Sequence, residues 1–151
     1  MNEPKMIVVR GKPAPQGSKI STRYGGMREA SQLVMPWRNQ IVSACIEQKI
    51  NNGEIIEQPV EIFIDFLFHR PQGHYGTGKN EKNLKPSAPQ YPITRTTGDI
   101  DKLCRSTLDG LSISSGGILL RDDSQVVNLR AKKSFAAKGG FQGAFIHIWQ
   151  L

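Results

Sequence analysis

Residues 60–68 read Val-Glu-Ile-Phe-Ile-Asp-Phe-Leu-Phe. Val60, Ile62, Ile64, Phe66 and Phe68 face one way, and Glu61, Phe63, Asp65 and Leu67 face the other. This period of two predicts a β-strand with one face in a core. Downstream, residues 69–97 form a polar stretch with four prolines and three glycines before Gly98, too long for a simple connection unless it has work to do. Ile100, Leu103, Cys104, Leu108 and Leu111 then recur at helical spacing, which predicts a helix from about Ile100 to Leu111. Ser112 to Gly117 ends it.

Upstream, Trp37, Ile41, Ala44, Cys45 and Gln48 predict a helix opening at Pro36, a residue suited to a first turn, and stopping at Asn51-Asn52-Gly53. Met6–Arg10 reads as a first strand, and Gly11 to Gly26 as a loop. Gln125–Ala131 and Ala144–Trp149 read as two further strands, with Lys138-Gly139-Gly140 suggesting a hairpin between them. The order is β-α-β-α-β-β. It predicts one α/β (α+β) domain over residues 1–151, with a mixed or antiparallel sheet packed against two helices.

A chain of 151 residues can bury a core without disulfides. It has no run of eighteen apolar residues, so no membrane span is expected, and the short apolar stretch Met6–Val9 is not a secretory signal. Cys45 and Cys104 sit in apolar helical patterns outside any CxxC pair, which points to reduced core thiols in a cytosol.

The 20 Lys and Arg against 13 Asp and Glu give a net charge of +7, and a protein this basic often meets a nucleic acid. The distribution strengthens that reading. Three segments, 10–28, 70–95 and 130–138, hold fourteen of the twenty cations and a single acid, Glu81. Within them Lys12, Lys19, Arg23, Lys79, Lys82, Lys85, Arg95 and Lys132 are the candidate contacts to DNA phosphates. Five of the thirteen acids lie between Asp99 and Asp123.

Gly73–Asn80 nearly spells a phosphate-binding P-loop, but Asn80 stands where Ser or Thr would hold magnesium. No helical pattern follows Lys79 to supply a helix N-terminus. An NTPase is therefore not expected. His69, His74 and His147 share no helical face, so no zinc site is expected, and no Gly-x-Ser-x-Gly elbow marks a serine hydrolase.

Gly98-Asp99-Ile100-Asp101-Lys102-Leu103 and Arg121-Asp122-Asp123-Ser124-Gln125 form the strongest cluster. Helix capping accounts for one Asp at a helix mouth. Two there, and a second acidic pair entering a strand, repel one another unless something compensates. A divalent cation such as Mg²⁺ would do so, and beside basic segments it could support phosphodiester hydrolysis. Arg105, four residues after Asp101 and four before Asp109, is either part of an exposed ion-pair ladder or, with Lys102, a grip on phosphate.

The pattern Asp-x-Asp-x-Leu, the helix ending near Asp109-Gly110-Leu111, and Asp-Asp-Ser-Gln-Val together resemble the RusA family of Holliday junction resolvases. Gly11–Ser18 and His74–Gly78 look like its phage and prophage members, and the resemblance covers nearly the whole chain. It implies a RusA-like fold and a homodimer in a bacterial cytosol. It also implies cleavage of branched DNA, the four-way junction, with Mg²⁺ or Mn²⁺. The family's metal-binding aspartates fall on Asp99, Asp101 and Asp123, with Asp122 adjacent. Its essential lysine falls on Arg105 and its common asparagine on Lys102. Arginine does not readily release a proton, so electrostatic stabilisation is the role open to Arg105, while Lys102 can offer an ammonium. The competing expectation is a non-catalytic DNA-binding module, which needs stacking aromatics among its cations. Only Tyr24, Tyr75, Tyr91 and Phe135 lie in or beside basic segments, and they form no stacking motif.

Overall fold

The computed structural model describes residues 3–17, 19–21, 27–29 and 32–151, with the segments 19–21 and 27–29 described in backbone only. Among the described residues six strands and two α-helices run in chain order as β1 (Lys5–Arg10), β2 (Lys19–Ser21), β3 (Met27–Glu29), α1 (Val34–Glu47), β4 (Val60–Phe68), α2 (Ile100–Leu111), β5 (Val126–Phe135) and β6 (Gly143–Gln150). The main sheet has the order β1-β6-β4-β5. β4 pairs antiparallel with β6 and parallel with β5, so the sheet is mixed.

β4 behaves as its alternation requires. Val60, Ile62, Ile64, Phe66 and Phe68 are buried, and the residues between them are half-buried. Ile7 and Val9 of β1 and Ala144, Ile146 and Ile148 of β6 extend the same buried face. Trp37, Ile41 and Cys45 of α1 and Leu103 and Leu111 of α2 pack onto it. A buried hydrogen bond joins the helices, with Trp37 Nε1 donating to Thr107 Oγ1 at 3.1 Å. Both helices lie on one side, so the other side of the sheet carries no described helix.

Three expectations change. First, the segment 11–26 is not all loop, because it contains β2, which pairs with β3. Second, α1 opens at Val34, two residues before Pro36, since proline costs nothing in a first turn whose N–H groups lack partners anyway. It ends at Glu47, short of the expected stop, and Asn51 and Asn52 then take left-handed conformation at φ 53° and 56° within a separate 3-10 turn, Ile50–Gly53. Third, β5 and β6 form no hairpin, because β4 lies between them. The connection passes over the end of β4, where Ala136 N–H donates to the Phe68 carbonyl at 2.8 Å and His69 N–H to Gln142 Oε1 at 3.0 Å. Lys138-Gly139-Gly140 still turns, with Gly139 at φ +82°.

Gln48 completes the far edge. Its Oε1 accepts from Val8 N–H at 2.9 Å and its Nε2 donates to the Val8 carbonyl at 2.7 Å. One side chain thus stands in for a neighbouring strand beside β1. The long segment 69–97 contains two short 3-10 turns, Gln72–His74 and Gly78–Asn80, and an isolated antiparallel bridge between Tyr75 and Leu84. No α-helix follows Lys79, in keeping with rejection of the P-loop. The segment is nevertheless anchored: the Arg70 guanidinium lies 4.1 Å over the Phe135 ring, and Lys138 Nζ donates to the Glu81 carbonyl at 2.6 Å. Among the described residues no helix is long and apolar enough to cross a membrane.

Candidate active site

The head of α2 is built from both ends of the sequence motif set. Gly98 holds φ +86°, and a Cβ there would stand 2.6 Å from the Pro15 side chain. Glycine is required on both counts. The segment Gly11–Gly17 lies across α2 as a strap. Gln16 N–H donates to the Lys102 carbonyl at 3.0 Å, Gln16 Nε2 to Asp109 Oδ2 at 2.7 Å, and Ser106 Oγ to the Ala14 carbonyl. The two motifs that lie some eighty residues apart are therefore one assembly.

Asp99 occupies the N-cap position but makes no side-chain capping bond. Capping does not account for its carboxylate, which lies 3.5 Å from Lys102 Nζ instead. Asp101 follows in the first turn and is exposed, with no described hydrogen bond or ion pair. The expected ladder through Arg105 does not form among the described residues. Asp109 takes Gln16 and Ser115 as partners.

The acidic pair before β5 divides in two. Asp122 caps the turn Asp123–Gln125: its side chain accepts from Ser124 N–H at 3.0 Å and Ser114 Oγ at 2.8 Å, while Gln125 Oε1 accepts from Asp122 N–H. The bonds from Ser124, then Ser114, lower the Asp122 pKa to about 2. The Asp123 side chain has no described hydrogen bond or ion pair and the residue is exposed. Asp122 is thus a structural support and Asp123 the available carboxylate.

A groove of about 540 Å³ runs between α2 and β5, with Asp101, Arg105 and Asp123 on its polar rim and Cys104, Leu108 and Leu129 among its apolar lining. The exposed Ile100 and the half-buried Leu108 line this groove, Leu108 packing against the edge of the core as well, because α2 turns Ser106, Thr107 and Gly110 inward. Burial, and then the Asp101 charge, push the Cys104 thiol up to about 11, so it is no nucleophile. Exposed carboxylates are the donor type a hard divalent cation takes. Among the described residues, however, no group of three potential ligands is close enough to hold an ion. Asp101 and Asp123 share the groove, and Asp99 stands at its head.

The phosphate candidates scatter. Lys12 is exposed on the strap, and Lys79, Lys82, Lys85 and Arg95 are exposed on the long segment. Lys132 projects from the opposite face of the sheet, 3.8 Å from Asp65. The Lys19 side chain, Arg23 and Tyr24 lie outside the described residues. Lys133 was not among the candidates, yet its Nζ donates to the Gly98 carbonyl at 2.7 Å. Burial lowers its pKa, partly offset by Asp99. The available signal was strand alternation, which puts Lys133 on the helix side with Leu129 and Ala131.

The Asp122 cap yields a pH test. A carboxylate whose folded pKa is lowered from 3.8 to about 2 stabilises the fold above its unfolded pKa, and that stability is lost as pH falls through about 2. Asp122→Ala is expected to lower Tm at neutral pH, with the gap to wild type closing between about pH 4 and pH 2. A gap independent of pH would show that the cap contributes nothing through its charge.

No curated protein matches the chain significantly. The sequence model of the family described as Endodeoxyribonuclease RusA matches residues 10–146. That span contains the strap, both acidic motifs, α2 and β5. The family consists of endodeoxyribonucleases that act on Holliday junctions. On this match, and with the strap and both acidic motifs gathered around α2, the chain belongs to the RusA endodeoxyribonuclease family.

Proposed function

We propose that residues 1–151 form one catalytic domain, a Mg²⁺-dependent endonuclease (Mn²⁺ as an alternative) that resolves four-way DNA junctions as a homodimer. The observation that carries this is the meeting of Asp101 and Asp123, both without described partners, with Arg105 on one groove rim. Asp99, Asp101 and Asp123 would hold the cation. When bound, it would activate water and stabilise charge on the phosphate. Arg105 contributes positive charge to the phosphate through its guanidinium. Lys102 adds an ammonium beside Asp99, and Lys133 fixes the Gly98 carbonyl so that the helix head keeps its place. Lys12, Lys79, Lys82, Lys85 and Arg95 supply the exposed charge for the DNA arms. Two free buried thiols and a phage-type family support a bacterial cytosol as the setting, with the gene carried by a phage or prophage.

Symmetric resolution needs two cuts related by a two-fold axis, which a pair of identical chains provides. The groove and the open edge of β5 beside it, with Val127 63% exposed, support a second copy there. Light scattering at micromolar concentration is expected to give the dimer mass. A monomer that still cuts both strands would overturn the assembly.

Asp101→Asn is expected to reduce junction cleavage in Mg²⁺ by on the order of 100-fold or more, because the cation would lose an anionic ligand and with it the activation of water. Binding in EDTA should stay equal or tighten, since a carboxylate no longer repels DNA. Asp109→Asn, whose oxygen can still accept from Gln16, should cut nearly as wild type. Near-normal cleavage by Asp101→Asn would overturn the assignment of Asp101 to the metal site, while a wild type that binds junctions but leaves them uncut in Mg²⁺ or Mn²⁺ would make the chain a non-catalytic junction-binding module.

Affinity for a junction should fall log-linearly with salt, and replacing Lys79, Lys82 and Lys85 by Gln should flatten the slope by about 0.9 for each phosphate no longer neutralised. An unchanged slope would take the long segment off the DNA surface.

A further inference from the structure

The side of the main sheet away from the helices carries a group of aromatic rings that the groove does not use. Phe63 of β4 lies directly opposite His147 of β6, with ring centroids 5.6 Å apart and planes inclined by 38°. Trp149 follows two residues on, 6.1 Å from His147 and within 21° of its plane. The three rings tile the two central strands side by side, each half-buried. Arg130, opposite Phe63 on β5, holds its guanidinium 5.0 Å over the Phe63 ring and 6.0 Å from the Trp149 centroid. At the other end of this face Arg10 lies 4.5 Å over Phe141.

The charges among these rings are Arg10, Arg130 and Lys132 against Glu61 and Asp65. Each acid has a cation beside it, Glu61 at 3.9 Å from Arg130 and Asp65 at 3.8 Å from Lys132. The face is therefore net positive with no uncompensated carboxylate. Planar π faces with cations alongside are the chemistry that takes unpaired bases, whose rings stack while their phosphates meet the cations. Bases inside a duplex offer no free face. A second copy of the same face would bring positive charge against positive charge.

We propose that this open face, centred on Phe63, His147, Trp149 and Arg130, is a stacking platform for unpaired nucleotides of single-stranded DNA. It rests on DNA being the polyanion this chain binds, and it does not depend on the chemistry at Asp101. The sequence concealed it because its rings come from positions 63, 147 and 149, outside the segments where cations cluster.

The test runs in EDTA, with a thymidine oligonucleotide of roughly 12 nucleotides and a blunt duplex of the same length as probes. The chain has two tryptophans, and Trp37 is only 1% exposed, so quenching reports Trp149. The oligonucleotide should quench wild-type emission and the duplex should not. By fluorescence anisotropy of a labelled oligonucleotide, Phe63→Leu should bind about 10-fold more weakly. Phe63→Tyr keeps the ring and should restore binding, which separates lost stacking from poor folding. Wild-type affinity in both Phe63→Leu and Trp149→Leu would overturn the platform. So would sedimentation showing a wild-type dimer that Phe63→Leu dissociates, since a second copy would then cover the face. Failure of the nuclease reading looks different: junctions stay uncut in Mg²⁺ while oligonucleotide binding and quenching persist.

Discussion

Everything in this fold is arranged around the need of one strand to satisfy both of its edges and one of its faces. β4 is central, with β6 on one side and β5 on the other, and its five inward side chains are fully or nearly fully buried. Placing the chain's most apolar strand in the middle gives its backbone two sets of partners and its side chains the thickest cover. β5 is then left at an edge, parallel to β4, and α2 lies over it. The groove between α2 and β5 lies at an edge that no further described strand closes.

The acidic cluster owes its availability to substitutions of duty among neighbours. A helix head and a strand entry both need capping groups, and two aspartates would ordinarily be consumed. At the strand entry Asp122 takes the whole task, engaged by Ser124 and Ser114, which leaves Asp123 unencumbered. At the helix head Asp99 leaves the capping bond unmade, while the strap bonds the helix further along at Lys102, Ser106 and Asp109. The strap and Lys133 approach the Gly98 peptide from two directions, one through Pro15 and one through the carbonyl.

Local periodicity made β4 and α2 legible to the residue, because Val60–Phe68 and Ile100–Leu111 each repeat one pattern without interruption. The acidic candidates were legible for a related reason, since like charges placed so close in sequence demand an explanation. What stayed hidden depends on partners distant in the chain. The expected hairpin after β5 was a local inference from Gly139-Gly140, and it yields to β4, which fits between the two strands. Asp122 and Asp123 are indistinguishable as letters, and only the positions of Ser114 and Gln125 separate them. Lys132 and Lys133 look like one basic pair, yet strand alternation sends them to opposite sides of the sheet.

The amide of Gln48, seated against Val8, has a consequence for how such molecules can associate. An open sheet has two edges, and strand-by-strand growth into a fibre needs both. Here the β1 edge is already occupied at its middle by a side chain of the same molecule. Among the described residues the β5 edge carries no such guard, so a neighbouring strand can add there but not at β1, and growth along both edges at once is blocked. A basic protein drawn in many copies onto the same polyanion is thereby kept from polymerising along it.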